Sequence, residues 1–266
     1  MSKIETIKNE FETTTSAVLE QLGKALSTFT RAVADEVTAG QQRAIAARVD
    51  DENIALDNAL FDSAPVAAVP RHAQFAPLLD VGHRFLLAAE GLFIEIRRPW
   101  LHLIQQITPL DSTGPRPPYG SIEPKIEFSF GRLGAAAPHF RQFAAESAAA
   151  LPNEHAACVI WNSTTNELTY RPVEVIRSSP VEITINRPTL TDDESLAIDL
   201  HSHGAGLAGF SAQDDLDDAG EVKIAGVIGG IGTDTPSVAF RLCALGKTIT
   251  LRVPVEAFFA KQETAA

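Results

Sequence analysis

The chain has 266 residues, of which 45% are apolar and 21% charged, a balance that marks a folded globular protein and excludes a disordered one. Its 34 acidic and 22 basic residues give a formal net charge of -12, which argues against nucleic acid as a partner, because phosphate binding draws on a basic face. No run of about 18 apolar residues occurs and the N-terminus, MSKIETIKNEFETTTS, lacks the apolar core of a secretory signal, so no membrane partner and a cytoplasmic location are expected.

Residues 1–58 hold no proline and read as a helical segment. Leu19, Leu22, Leu26, Phe29, Val33 and Val37 step by three or four, which predicts one apolar stripe. The heptad-like spacing admits homo-oligomerisation through a coiled coil, in competition with packing on the chain's own body. Gly23, Gly40 and Thr13 to Thr15 weaken the case for one continuous rod.

Residues 59–130 form a β-rich region. PVAAV, HRFLLAAEGLFIEI, WLHLI and KIEFSF are short β-prone runs separated by proline and glycine. AEG inside the second run predicts a hairpin turn, and STGPRPPYG a long surface loop.

Residues 131–266 turn to an α/β pattern. The alanine-rich GAAAPHFRQFAAESAAALP predicts a helix stopped by Pro152. EHAACVIWN and ELTYRPVEVI predict two strands joined by the turn STTN. LAIDLHSH follows as a strand, SAQDDLDDAGE as a short helix, and VKIAGVIGGI, SVAFRLCAL and KTITLRVPV as three more strands. The glycines of GVIGGIG fit a hairpin rather than a nucleotide loop, since a strand and not a helix comes next. Cys158 and Cys243 sit in apolar runs and read as buried reduced thiols; Trp100 and Trp161 read as core. His72, His83, His102, His139 and His155 have no ligand spacing and read as structural or surface residues.

One stretch carries chemistry: HSHGAGLAGFSAQDD, His201 to Asp215. Alternation along LAIDLHSH puts Leu196, Ile198 and Leu200 on one face and Asp199, His201 and His203 on the other. Two imidazoles on one face can converge on a single ion. The glycine-containing loop lets the chain turn back, so that Asp214, in the first turn of the next helix, supplies a third, carboxylate ligand. Three protein ligands leave one tetrahedral position open, as in catalytic zinc sites. Singly, each residue has a plainer explanation. S-x-x-D from Ser211 to Asp214 is close to a capping box, and histidines at a strand end can be surface decoration. Together, at this spacing, they favour zinc. From Asp192 to Glu221 there are nine carboxylates and no lysine or arginine; most are expected on a solvated face, with a field that favours a bound cation. A Ser-His-Asp triad lacks the G-x-S-x-G elbow, and neither a zinc-deaminase H-x-E…P-C-x-x-C nor an H-E-x-x-H helix is present.

H-S-H, seven residues, then S-A-Q-D resembles the signature of the JAB/MPN, or JAMM, zinc metallopeptidases, over roughly residues 138–250. The resemblance implies a JAB/MPN-like mixed sheet flanked by helices, with zinc held by His201, His203 and Asp214. It implies that Ser211 assists the transition state and that an upstream glutamate near a helix–strand junction is the general base. Glu154 fits that place better than Glu146 or Glu167. Gly204 stands where the family usually has proline, which is expected to loosen the loop without deleting a ligand. The stretches PVAAVPRHAQFAPL, IRRPWLHL, EVIRSSP and FSAQDDLDDAGEVKIAGVIG are also similar to the A proteins of the bacterial PRTRC system. That likeness implies a ubiquitin-like protein or conjugate as substrate, with ubiquitin-activating-like and ubiquitin-conjugating-like partners. The expected activity is a zinc-dependent peptidase or isopeptidase; the alternative is a non-catalytic scaffold or binding subunit.

Overall fold

The structure, a computed structural model, describes residues 2–49, 52–110, 114 and 116–259. Contacts divide the chain into two units, Met1–Ser63 and Ala64–Ala266.

The first unit holds α1 (Lys3–Val49) and α2 (Glu52–Ser63). Gly23 and Gly40 do not break α1. A helical glycine costs only about 1 kcal/mol relative to alanine, and the surrounding Ala, Leu, Glu and Lys residues absorb that. The threonines are accommodated by local bonds: Thr13, Thr28 and Thr38 each donate their hydroxyl to the carbonyl four residues earlier.

In the second unit the first sheet comprises β1 (Val66–Ala68), β2 (Gly82–Ala88), β3 (Gly91–Arg98), β4 (Leu101–Pro109) and β5 (Lys125–Phe128), in that spatial order. The turn between β2 and β3 falls at Ala89 and Glu90, as AEG predicts. Of the loop STGPRPPYG, residues 112, 113 and 115 lie outside those described. Alternation gives β3 two buried faces: Ile94 and Ile96 enter the main core, whereas Phe93 joins Leu86 and Ile104 in a smaller one. Glu95, on the Phe93 face, is fully buried yet fully partnered. Arg84 Nε lies 2.6 Å and His102 Nε2 2.9 Å from its oxygens, and the Leu78 amide donates to it at 2.9 Å. A buried carboxylate requires such partners.

A 3-10 turn (Leu133–Ala136) leads into α3 (Ala137–Ala150), whose Phe140 and Phe143 are fully buried. The second sheet contains β6 (Ala156–Asn162), β7 (Glu167–Pro172), β10 (Glu194–Ser202), β11 (Val222–Gly229), β12 (Ser237–Ala244) and β13 (Lys247–Leu251), ordered β13-β12-β11-β10-β6-β7. Leu101 and Leu103 from the first sheet, with Trp100 from the turn before β4, share one core with Phe143, Val159, Trp161, Ile198 and Leu200. The β-rich region and the α/β region are thus packed as one body.

Two further sequence expectations change. ELTYRPVEVI is not one strand. β7 ends at Pro172, and Glu174–Ser179 forms β8, which pairs with β9 (Glu182–Asn186) in a separate two-stranded ribbon. Proline has no N–H with which to continue the ladder, so the chain leaves the sheet there. Strict alternation also fails in LAIDLHSH. A register shift between Leu196 and Ile198 leaves Ala197 and Ile198 both buried and Leu196 only half-buried. Beyond the bulge alternation resumes, with Ile198, Leu200 and Ser202 inward and Asp199 and His201 toward the open face.

Candidate metal centre

β10 and β11 are the parallel pair of the second sheet, and α4 (Ala212–Asp218) lies in the crossover between them. Ligands of α/β sheets bind outside the carboxyl ends of such strands, and β10 ends at His201 and Ser202. Ser202 is fully buried and ties β10 to the start of β6: its Oγ accepts from the His155 amide at 2.9 Å, and its own amide donates to the His155 carbonyl at 2.9 Å. The His203 amide donates to the Ile228 carbonyl at 2.8 Å, which fixes the residue against β11.

The His201 and His203 Nε2 atoms stand 3.2 Å apart, and His201 Nε2 is 3.5 Å from Asp214 Oδ1. Ligand atoms of all three residues lie within 4.8 Å of one another, the one cluster of its kind found among the described residues. Tetrahedral ligands at about 2.0–2.1 Å from zinc are about 3.3–3.4 Å apart, so the two separations from His201 suit that ion. The protonation pattern suits it too. His203 Nδ1 lies 3.1 Å from the Leu207 carbonyl, which can only accept, so Nδ1 carries the hydrogen and Nε2 presents its lone pair. Burial lowers the His201 pKa, against the pull of Asp214, favouring the neutral imidazole that coordinates metals.

Capping and coordination are not rivals at Asp214. Its Oδ2 accepts from the Ser211 amide at 2.6 Å and the Ser211 hydroxyl at 2.7 Å, completing a capping box, while Oδ1 faces His201. One carboxylate can serve both purposes because its oxygens point apart.

Glu154, 8% exposed, lines the same cleft as His201, His203, Ser211 and Asp214. Its backbone is held on both sides: the amide donates to the Ser179 carbonyl at 2.9 Å, and Ser178 Oγ donates to its carbonyl at 2.6 Å. Burial raises its carboxyl above the usual range; a protonated His203 would oppose the shift, and Asp214 reinforces it. Glu146 is engaged elsewhere, bonded to Tyr170, Gln142 and His155. Glu167 sits on β7 and does not line the cleft.

The cleft holds about 1000 Å³ and is walled on one side by Pro180, Val181, Ile183 and Ile185 of the β8–β9 ribbon. The sequence reading missed this wall, although the alternation in VEITIN signals a strand. The acidic stretch is only partly solvated. Asp192, Asp193, Asp215 and Asp217 are exposed, whereas Asp199, Asp218 and Glu221 are buried or half-buried; together with Asp215 these three pair with Arg187, Lys223 and Arg241, which the fold brings in from outside the stretch. Lys223, only 3% exposed, is within 3.0 Å of three carboxylates. Burial alone would lower its pKa; Asp199, Asp218 and Glu221 outweigh burial and raise it. The Arg241 guanidinium binds Asp215 and Asp218 of α4 and stacks 3.8 Å over the Phe210 ring. These buried cations anchor the helix that carries Asp214.

Gly204 adopts φ +52°, and the loop around it is pinned rather than loosened. The Ile231 amide donates to the Gly204 carbonyl at 2.9 Å, and the Gly206 amide to the His203 carbonyl at 2.8 Å. Proline is confined to φ near -65°. Gly204→Pro should therefore destabilise the protein by more than about 1 kcal/mol, read as a lowered urea midpoint. An unchanged midpoint would show that the loop does not need the left-handed backbone.

These features define an α/β domain with a His-His-Asp cluster at the carboxyl end of a sheet strand. Residues 136–243 match a family described as prokaryotic homologs of the JAB domain, so the chain carries a JAB-like domain. Residues 54–129 match a domain of unknown function (DUF2016). No curated protein matches the chain.

Proposed function

We propose that this protein is a zinc-dependent peptidase or isopeptidase that cleaves at the C-terminal tail of a ubiquitin-like protein. The observation that carries the reading is the convergence of His201, His203 and Asp214 in one cleft with a buried Glu154. When bound, zinc supplies Lewis acidity, polarising a carbonyl and lowering the pKa of water to about 7. Glu154 is the general base. Its raised pKa suits a carboxylate that takes a proton from water and returns it to the leaving amine. The Ser211 hydroxyl, which now donates to Asp214 Oδ2, would turn to donate to the oxygen of the reacting carbonyl. The apolar ribbon residues beside the cluster suit an extended chain lying along the cleft. Likeness to the PRTRC-system A proteins extends the proposal to ubiquitin-activating-like and ubiquitin-conjugating-like partners.

The test is hydrolysis of a ubiquitin-like protein extended at its C-terminus by a peptide. Cleavage that stops with a chelator and returns with added zinc is the expected result. One zinc per chain without cleavage of any such fusion would favour the scaffold alternative.

A further inference from the structure

The apolar residues of α1 follow a stricter rule than steps of three or four. Ile4, Ile7 and Phe11 are spaced 3-4, and the same spacing returns at intervals of eleven: Val18 and Leu22, then Leu26, Phe29 and Val33, then Val37. Only Thr15 breaks the series between Ile4 and Val37. An eleven-residue period is 3.67 residues per turn, close to the 3.6 of a straight helix, so the stripe runs almost parallel to the helix axis. Each of these apolar residues is between 45% and 77% exposed, and Leu19 beside them is 61% exposed. A helix with such a face buries it against another element.

We infer that α1 packs along the α1 helix of a second copy of this chain, as a coiled coil with an eleven-residue repeat. The stripe is about 50 Å long at 1.5 Å per residue, and its cover must match both that length and that period. α2, with 12 residues, is too short, and its own Leu56, Leu60 and Phe61 are exposed. A second α1 matches both by identity, in the self-complementary manner of a two-fold interface. At on the order of 100 Å² per large side chain, ten from each copy would bury roughly 2000 Å², the size of a stable interface. The borders of the stripe raise no obstacle. Gln21, Gly23, Ala25, Ala32 and Ala34 flank its middle, whereas Glu20, Lys24 and Arg31 project from the opposite side. Coiled coils choose foreign partners by charges at those bordering positions, and here the middle has none. Six basic and six acidic side chains cancel along α1, so the helix lacks the positive excess that would hold it on an anionic membrane.

Light scattering on the full chain tests this. The expected mass is twice the 28.5 kDa of one chain. Leu22→Glu with Phe29→Glu should reduce it to one chain, while Ser27→Glu with Arg31→Glu, on the opposite side, should leave the pair intact. Circular dichroism of the stripe variant should also show helix lost with the partner, since most helix stability comes from packing of the apolar face rather than from propensity. A single-chain mass for the unsubstituted protein, or an assembly that survives the stripe substitutions, overturns the inference.

Discussion

Glu154→Gln should lower hydrolysis by about 10²–10⁴-fold and leave the zinc content at one per chain. Glutamine keeps the shape of glutamate but cannot hold a proton at the carboxylate position. The side chain contributes no ligand atom to the His201, His203 and Asp214 cluster, and the bonds that hold residue 154 come from its backbone, through Ser178 and Ser179. The substitution therefore separates chemistry from metal binding. Metal analysis and steady-state rates on the same preparation read both quantities. A fully active Glu154→Gln protein would sink the assignment of the base, and Glu146 offers no ready replacement, since Tyr170, Gln142 and His155 already engage it.

His203→Ala should lose both zinc and activity. Two remaining ligands, His201 and Asp214, leave an incomplete shell, and the Leu207 carbonyl loses the group that His203 Nδ1 provides. Zinc stoichiometry should fall from about one to near zero, with the fold retained, because His203 lies beyond the end of β10 and outside the core. Metal analysis after dialysis against buffer without chelator decides it. Retention of stoichiometric zinc by His203→Ala would remove that residue from the ligand set and with it the tetrahedral reading. The pattern across the two variants is more informative than either alone: zinc without activity for Glu154→Gln, neither for His203→Ala.

Much of the site was legible along the chain because its parts are local. His201 and His203 are two residues apart on one strand, and Ser211 and Asp214 are three apart at a helix start, so strand period and capping rules place them without knowledge of the rest. Glu154 was singled out only because the family resemblance calls for a glutamate near a helix–strand junction, since nothing near it in sequence names its role. Other features were hidden by their length scale. Lys223 and Arg241 meet Asp218 of α4 from separate strands, so a count of charges along the chain could not show that this acid is buried. The β8–β9 ribbon was overlooked because Pro172 ends one strand and the next begins two residues later, which reads as a single run.

The sequence by itself determined the helical character of the N-terminus, the hairpin of β2 and β3, the strand that ends at HSH and the candidate ligands, because each follows from backbone preferences and periodicities within a dozen or so residues. Only the tertiary structure decided that the first sheet shares its core with the α/β region, that Ser178, Ser179 and Ser202 hold the backbone beside the site, and that one wall of the cleft is a ribbon. Those facts depend on which distant surfaces fit together. Contacts of Phe130 with both Trp100 and Trp161, or between Ser202 and His155, join residues far apart in the chain, and their cost and gain are settled by packing and hydrogen-bond satisfaction across the whole body.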